Sequence, residues 1–127
     1  MTESVVDSSV VLAIISQEAG FLAAQRDLAD SLISTVNLSE VVTKPVRDGA
    51  GPADAEDMAG RFPLRAGDFD RRQALIAGGL WAQTSHKGLS LGDRACLALA
   101  ITTGLPVLTA DRAWAALDLG VDVRLIR

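Results

Sequence analysis

Cysteine is almost missing from this chain. Cys96 is the only one in 127 residues, which excludes an internal disulfide and a CxxC zinc or redox site and suits a reducing cytosol. It lies in an apolar stretch and reads as core. Histidine is as scarce: His86 sits alone in the polar turn Thr84-Ser85-His86-Lys87-Gly88, so it reads as an exposed loop residue. No apolar run approaches the roughly 20 residues of a membrane span, and Met1-Thr2-Glu3-Ser4 puts no basic segment before an apolar one. A soluble, unexported, cytoplasmic protein with no membrane partner is expected. Positive charge is in deficit, with 12 Lys and Arg against 16 Asp and Glu and a net charge of -4. That argues against a general nucleic-acid coat, although a local basic patch is compatible with it. Neither GxGxxG nor GxxxxGK[ST] occurs, so the common mononucleotide- and dinucleotide-binding loops are excluded.

What is present is a 49% hydrophobic chain, enough for one globular domain over 1–127 that buries about two thirds of its unfolded surface. Val5-Val6 reads as a short strand and Val10 to Ile15 as a helix capped by Asp7, Ser8 and Ser9. Phe21 to Leu32 repeats apolar residues at helical spacing and predicts a second helix. Leu32 to Val36 reads as a strand, and Asn37-Leu38-Ser39-Glu40 as a capping box starting a helix near Leu38. Lys44-Pro45 and Asp48-Gly49-Ala50-Gly51-Pro52 break that helix before a polar one over Ala53 to Gly60. Phe62 to Arg65 fits an edge strand, where a proline removes no central ladder bond.

Asp70 caps a helix running through Leu75, Ile76, Leu80 and Trp81, in which Gly78-Gly79 marks close packing and Trp81 belongs to the core. Ser90-Leu91-Gly92-Asp93 is a second capping box, opening a largely apolar helix that Gly104 ends. Pro106 to Thr109 and Val123 to Ile126 read as strands, with a short helix between them through Trp114 and Leu117. Trp114, close to Asp111, is open either to the core or to base stacking. Arg61, Arg65, Arg71 and Arg72 are interleaved with Asp68 and Asp70 and read as a mixed-charge surface rather than a basic strip. Short strands alternating with helices imply a parallel sheet covered on both faces.

Four carboxylates stand out against this background. Asp7, Glu40, Asp93 and Asp111 each lie where a strand or turn gives way to a helix, and in a parallel α/β sheet such junctions share one rim. Taken singly, each is explained by helix capping and the helix dipole. Capping does not explain why all four would converge. Two unit charges about 4 Å apart repel by roughly 4 kcal/mol at an effective dielectric of about 20. A cluster of this kind therefore holds protons with raised pKa values or binds divalent cations, and cations are the expectation.

The chain resembles the PIN-domain ribonucleases, and within them the VapC-type toxins of bacterial toxin-antitoxin pairs. The resemblance is carried by Val6-Asp7-Ser8-Ser9, Ser39-Glu40-Val41-Val42, Leu89 to Ala95 and Leu108 to Trp114, four segments in order over nearly the whole chain. It implies a three-layer α/β/α sandwich around a parallel sheet of about five strands. It also implies an acidic Mg²⁺ or Mn²⁺ site at Asp7, Glu40, Asp93 and Asp111, with Asp7 and Asp93 as direct ligands. Glu40 and Asp111 would bind a second ion or orient water. RNA as substrate, a cognate antitoxin and a homodimer follow from the same resemblance. Thr109 and Ser8 or Ser9 stand beside the acids as hydrogen-bond donors to carboxylate or substrate phosphate. Arg94 and Arg112 are candidate phosphate ligands, although successive helical positions diverge by about 100°, so only one is expected to face the groove.

Rival functions fit less well. A haloacid-dehalogenase-like phosphohydrolase wants a second aspartate where Ser9 stands, and a receiver domain wants a late-strand lysine that is missing. A catalytically silent PIN-like interaction module would be expected to have lost one of the acids.

Overall fold

The computed structural model describes residues 3–16 and 28–126. Five strands form one parallel sheet: β1 (Val5–Val6), β2 (Ser31–Ser34), β3 (Leu64–Gly67), β4 (Val107–Thr109) and β5 (Val123–Leu125), in the order β3-β2-β1-β4-β5. The described helices are α1 (Ser8–Ile15), α2 (Thr35–Arg47), α3 (Pro52–Gly60), α4 (Arg71–Gly79), α5 (Trp81–Thr84) and α6 (Leu91–Thr103). Short 3-10 turns cover Ser85–Lys87 and Arg112–Ala116.

Alternation along the strands divides the core in two. Val5 and Val107 face one side, packing with Leu80, Leu89, Cys96, Leu97 and Trp114. Val6, Ile33 and Leu108 face the other, with Val10, Val11, Ile14 and Val41. Both faces of a strand such as β1 are thereby buried, which is why it reads as an unbroken β-branched run. The result is a three-layer α/β/α sandwich. The first three strands build outward from β1 on one side, and β4 and β5 then build outward on the other. The order therefore reverses between β1 and β4, and a crevice opens at their carboxyl ends, the ligand position of open α/β sheets.

Several expected boundaries move. β2 ends at Ser34, whose Oγ accepts from the Val36 N–H at 3.3 Å, so α2 starts at Thr35 rather than near Leu38. Glu40 consequently lies in the second turn and is no part of a capping box. Pro45 does not break α2 but sits in its last turn, where a missing N–H costs only one intrahelical bond. The Asp70 helix is not continuous through Trp81: it stops at Gly79, and α5 begins after Leu80. A Cβ on Gly78 or Gly79 would meet nothing within 4 Å, so the pair marks open space and not close packing. Trp81 does not belong to the core as expected, and Trp114, open between core and base stacking, does. Trp81 is 58% exposed, and Trp114 is fully buried. The helix expected over Phe21 to Leu32 lies outside the described residues except at its end, where 28–30 form a turn and Ser31-Leu32 belong to β2.

Candidate metal and active site

The reversal point places Asp7 directly after β1, Thr109 at the end of β4, and Ala110 and Asp111 directly after it. The Asp7 N–H donates to the Leu108 carbonyl at 3.0 Å, which locks the two strand ends together. Asp7 is only 3% exposed. Its Oδ2 accepts from Ser9 Oγ at 2.7 Å and from Thr109 Oγ1 at 3.1 Å. Its Oδ1 is buried with no partner. Burial, with the negative charges of Asp93 and Glu40 adding to it, pushes this carboxyl up to about 6 against the lowering effect of the two hydroxyl donors. Ser9 Oγ also accepts from the Ala110 N–H at 3.0 Å, and Thr109 Oγ1 from the Asp111 N–H at 3.1 Å. These two hydroxyls therefore stitch the ends of β1 and β4 around one carboxylate.

The other acids close on it from neighbouring elements. Asp93 stands in the first turn of α6, where its Oδ2 accepts from the Ser90 N–H at 2.9 Å and its own N–H donates to Ser90 Oγ at 3.2 Å, the expected capping box. Burial raises its pKa, the Ser90 hydrogen bonds oppose this, and the charges of Glu40 and Asp111 add to the rise. Glu40 accepts on Oε1 from Ser8 Oγ at 3.0 Å and from Asn37 Nδ2 at 2.8 Å. Asp111 is exposed at the rim and accepts on Oδ1 from the Ala113 N–H at 3.0 Å. The acids thus act on one another electrostatically, while each leans on a local donor.

Among the described residues no three His, Cys, Asp or Glu side chains close into a ready coordination shell. A hard dication does not require one, because Mg²⁺ keeps several waters and takes only one or two direct carboxylates. The orphaned Oδ1 of Asp7 is the group that fits such an ion. It is a buried hard oxygen of a carboxyl whose pKa is raised first by burial and then by the charges of Asp93 and Glu40, which a cation would offset.

Of the neighbouring polar residues, Ser8 donates to Glu40, while Ser9 and Thr109 donate to Asp7. The two arginines diverge. Arg94 donates from Nη1 to the Ala77 carbonyl at 2.9 Å, and its guanidinium lies 5.7 Å from the centre of the Trp81 ring, so it braces α6 against α4. Arg112 is exposed beside Asp111. Sequence reasoning passed over Asn37 and Gly92. Both adjoin Glu40, and the available sign was a glycine inside the first turn of a well-capped helix, which usually has a packing reason.

Comparison with known proteins follows the same lines. The PIN domain family model matches residues 4–119. Among solved structures, the chain is similar to a DNA-bound VapBC from Salmonella typhimurium (TM-score 0.76, 19% identity, all of both chains). It is similar to VapBC2 of Rickettsia felis bound to a fragment of its promoter (TM-score 0.75, 17% identity, 98% of each chain). It also resembles VapC20 of Mycobacterium tuberculosis, described as a Sarcin-Ricin loop cleaving toxin (TM-score 0.69, 17% identity, 93% of this chain and 98% of that one). No curated protein matches the chain. With the family model spanning nearly its whole length and an acidic crevice at the strand reversal, this chain belongs to the PIN-domain family.

Proposed function

We propose that residues 1–127 form one PIN-like domain that is a divalent-metal-dependent endoribonuclease, the toxin of a toxin-antitoxin pair, working with Mg²⁺ or Mn²⁺. The observation that carries the reading is the unpartnered, buried Oδ1 of Asp7 among mutually repelling carboxylates at the β1/β4 crevice. The cation would be held directly by Asp7 and Asp93, with Glu40 and Asp111 serving a second ion or orienting water. When bound, it supplies a water activated near neutral pH, charge neutralisation on the phosphate and stabilisation of the leaving oxygen.

The chain's own residues do the rest. Ser9 and Thr109 fix the rotamer of Asp7, and Ser90 fixes that of Asp93, so that the oxygens that would hold the cation need not reorganise. Arg112 is the candidate phosphate ligand, since it is exposed at the rim while Arg94 is engaged with Ala77 and Trp81. Ser8 and Thr109, given to substrate by the sequence, serve substrate in this reading through the carboxylates they hold.

RNA as substrate and an antitoxin as partner draw support from the VapBC complexes and the RNA-loop-cleaving toxin that share the fold. Homodimerisation is carried over from the family resemblance. A cytoplasmic setting agrees with the buried free thiol of Cys96. Among the described residues no helix is long and apolar enough to cross a membrane.

The deciding experiment compares wild type with Asp93→Asn. Asparagine keeps an oxygen to accept from the Ser90 N–H, so the helix start survives. Cleavage of RNA should require Mg²⁺ or Mn²⁺, stop with EDTA and fall on the order of 10²-fold or more in the variant. Undiminished cleavage by a folded Asp93→Asn protein would refute the reading. Growth arrest on expression, relieved by a co-expressed cognate partner, tests the toxin role.

A further inference from the structure

Asn37 is a polar residue buried where an apolar one would serve the fold as well. It lies in the first turn of α2 and is 0% exposed. Its Nδ2 donates to Glu40 Oε1 at 2.8 Å and to the Gly92 carbonyl at 3.0 Å, and its Oδ1 has no partner. A buried polar atom left unpaired costs on the order of 1–3 kcal/mol, whereas an apolar side chain of similar shape in the same slot carries no such cost. Stability alone therefore does not account for an amide at this position.

Gly92 presses on the same carboxylate. A Cβ built there would stand 2.6 Å from Glu40 Oε1 and 2.7 Å from its Cδ, and would overlap Oε2 as well. Only a glycine lets the backbone of α6 approach this closely. Glu40 is thus gripped by Asn37 from its own helix, by Ser8 from α1 and by the bare Gly92 backbone of α6, one residue before Asp93.

We propose that Asn37 is a positioning residue that spans α2 and α6 and so fixes the Glu40 carboxylate relative to Asp93. The assignment rests on the ribonuclease reading above. The amide carries one end of the link, to a side chain that would serve the cation, and the Gly92 carbonyl carries the other. Without the bridge, Glu40 keeps only the Ser8 hydroxyl as a side-chain donor and is no longer tied to α6, so two of the four acids lose their fixed separation.

Asn37→Leu releases the carboxylate, and Gly92→Ala displaces it from the opposite side. Metal-free protein is titrated with Mn²⁺ by calorimetry, and steady-state cleavage of an oligoribonucleotide is measured in parallel. Each variant is expected to bind Mn²⁺ about 10- to 100-fold more weakly, as loss of an outer-shell partner does, with kcat reduced comparably and KM within about twofold. Thr84→Val supplies the control. Thr84 is equally buried and donates to the Leu80 carbonyl at 2.8 Å, so this variant should lose stability and keep its Mn²⁺ affinity. If wild type binds Mn²⁺ and cleaves while both variants stay within twofold of it, the role given to Asn37 is overturned and the ribonuclease reading stands. Affinity that falls only in step with lost thermal stability, in the variants and the control alike, overturns it too. Wild-type protein that neither binds Mn²⁺ nor cleaves RNA overturns the ribonuclease reading and this assignment with it.

Discussion

Asp7 carries an electrostatic burden that a structural residue would not be given. Its carboxyl is raised from 3.8 to about 6, first by burial and then by Asp93 and Glu40. The native state therefore holds the proton more tightly than the unfolded chain does. The stabilising contribution of Asp7 is complete below about pH 3.8 and is lost as pH rises through about 6. The difference between 3.8 and about 6 corresponds to about 3 kcal/mol as an upper figure, a factor of ten in proton affinity being roughly 1.4 kcal/mol. In EDTA, the stability of wild type relative to Asp7→Asn should rise by up to that amount between about pH 7 and about pH 4. Urea denaturation of both proteins across that range measures it, and a flat difference would show that Asp7 is not strained by its surroundings. The sequence made this residue legible by its place after β1. It did not show that one oxygen is held by Ser9 and Thr109 while the other is bare, because that arrangement is completed by Thr109, 102 positions away along the chain.

Two segments that read alike in sequence turn out differently as elements. Ser90 to Asp93 is the capping box it resembles. Asn37 to Glu40 has the same pattern, yet Ser34 is the true cap, because the amide of Asn37 is drawn away by Glu40 and Gly92. Local pattern proposed both caps, and a tertiary partner decided between them. Trp81 shows a similar reversal. It continues an apolar periodicity, but the break after Gly79 rotates α5 so that the ring lies over Arg94 instead of entering the core. Gly78 is exposed, helical and unobstructed. Gly78→Ala should therefore stabilise the protein by about 0.5–1 kcal/mol, mainly by restricting the unfolded chain. Thermal melting would register the gain, and RNA cleavage should be unchanged. A loss of stability would mean that the α4 backbone needs glycine for a reason other than space.

At the scale of the molecule, what matters is the order of the strands. The alternation of strands and helices was readable as a parallel α/β sheet, but the sequence alone does not reveal that building reverses between β1 and β4. That reversal opens the crevice and brings Asp7 beside the residues that follow β4. Asp7, Asp93 and Asp111 were legible as acids at element junctions, whereas Glu40 lies in the second turn of α2 and not at one. How the four acids engage Ser8, Asn37, Ser90 and Ala113 was not legible. The assembled site makes the metal-free fold electrostatically uneasy, so a dication that binds only the folded chain should stabilise all of it. At about 100 times its Kd, a single bound ion adds about 2.7 kcal/mol. For a domain of this size the corresponding rise in Tm is on the order of 10 °C. Differential scanning of EDTA-treated protein in Mn²⁺, against Na⁺ at matched ionic strength, separates binding from simple screening. The rise should shrink sharply when Asp7 and Asp93 are both replaced by asparagine, since the fixed charge that recruits the ion is then halved. A Tm that follows ionic strength alone, equal in Na⁺ and Mn²⁺, would leave the acidic crevice without its cation and the nuclease reading without its chemistry.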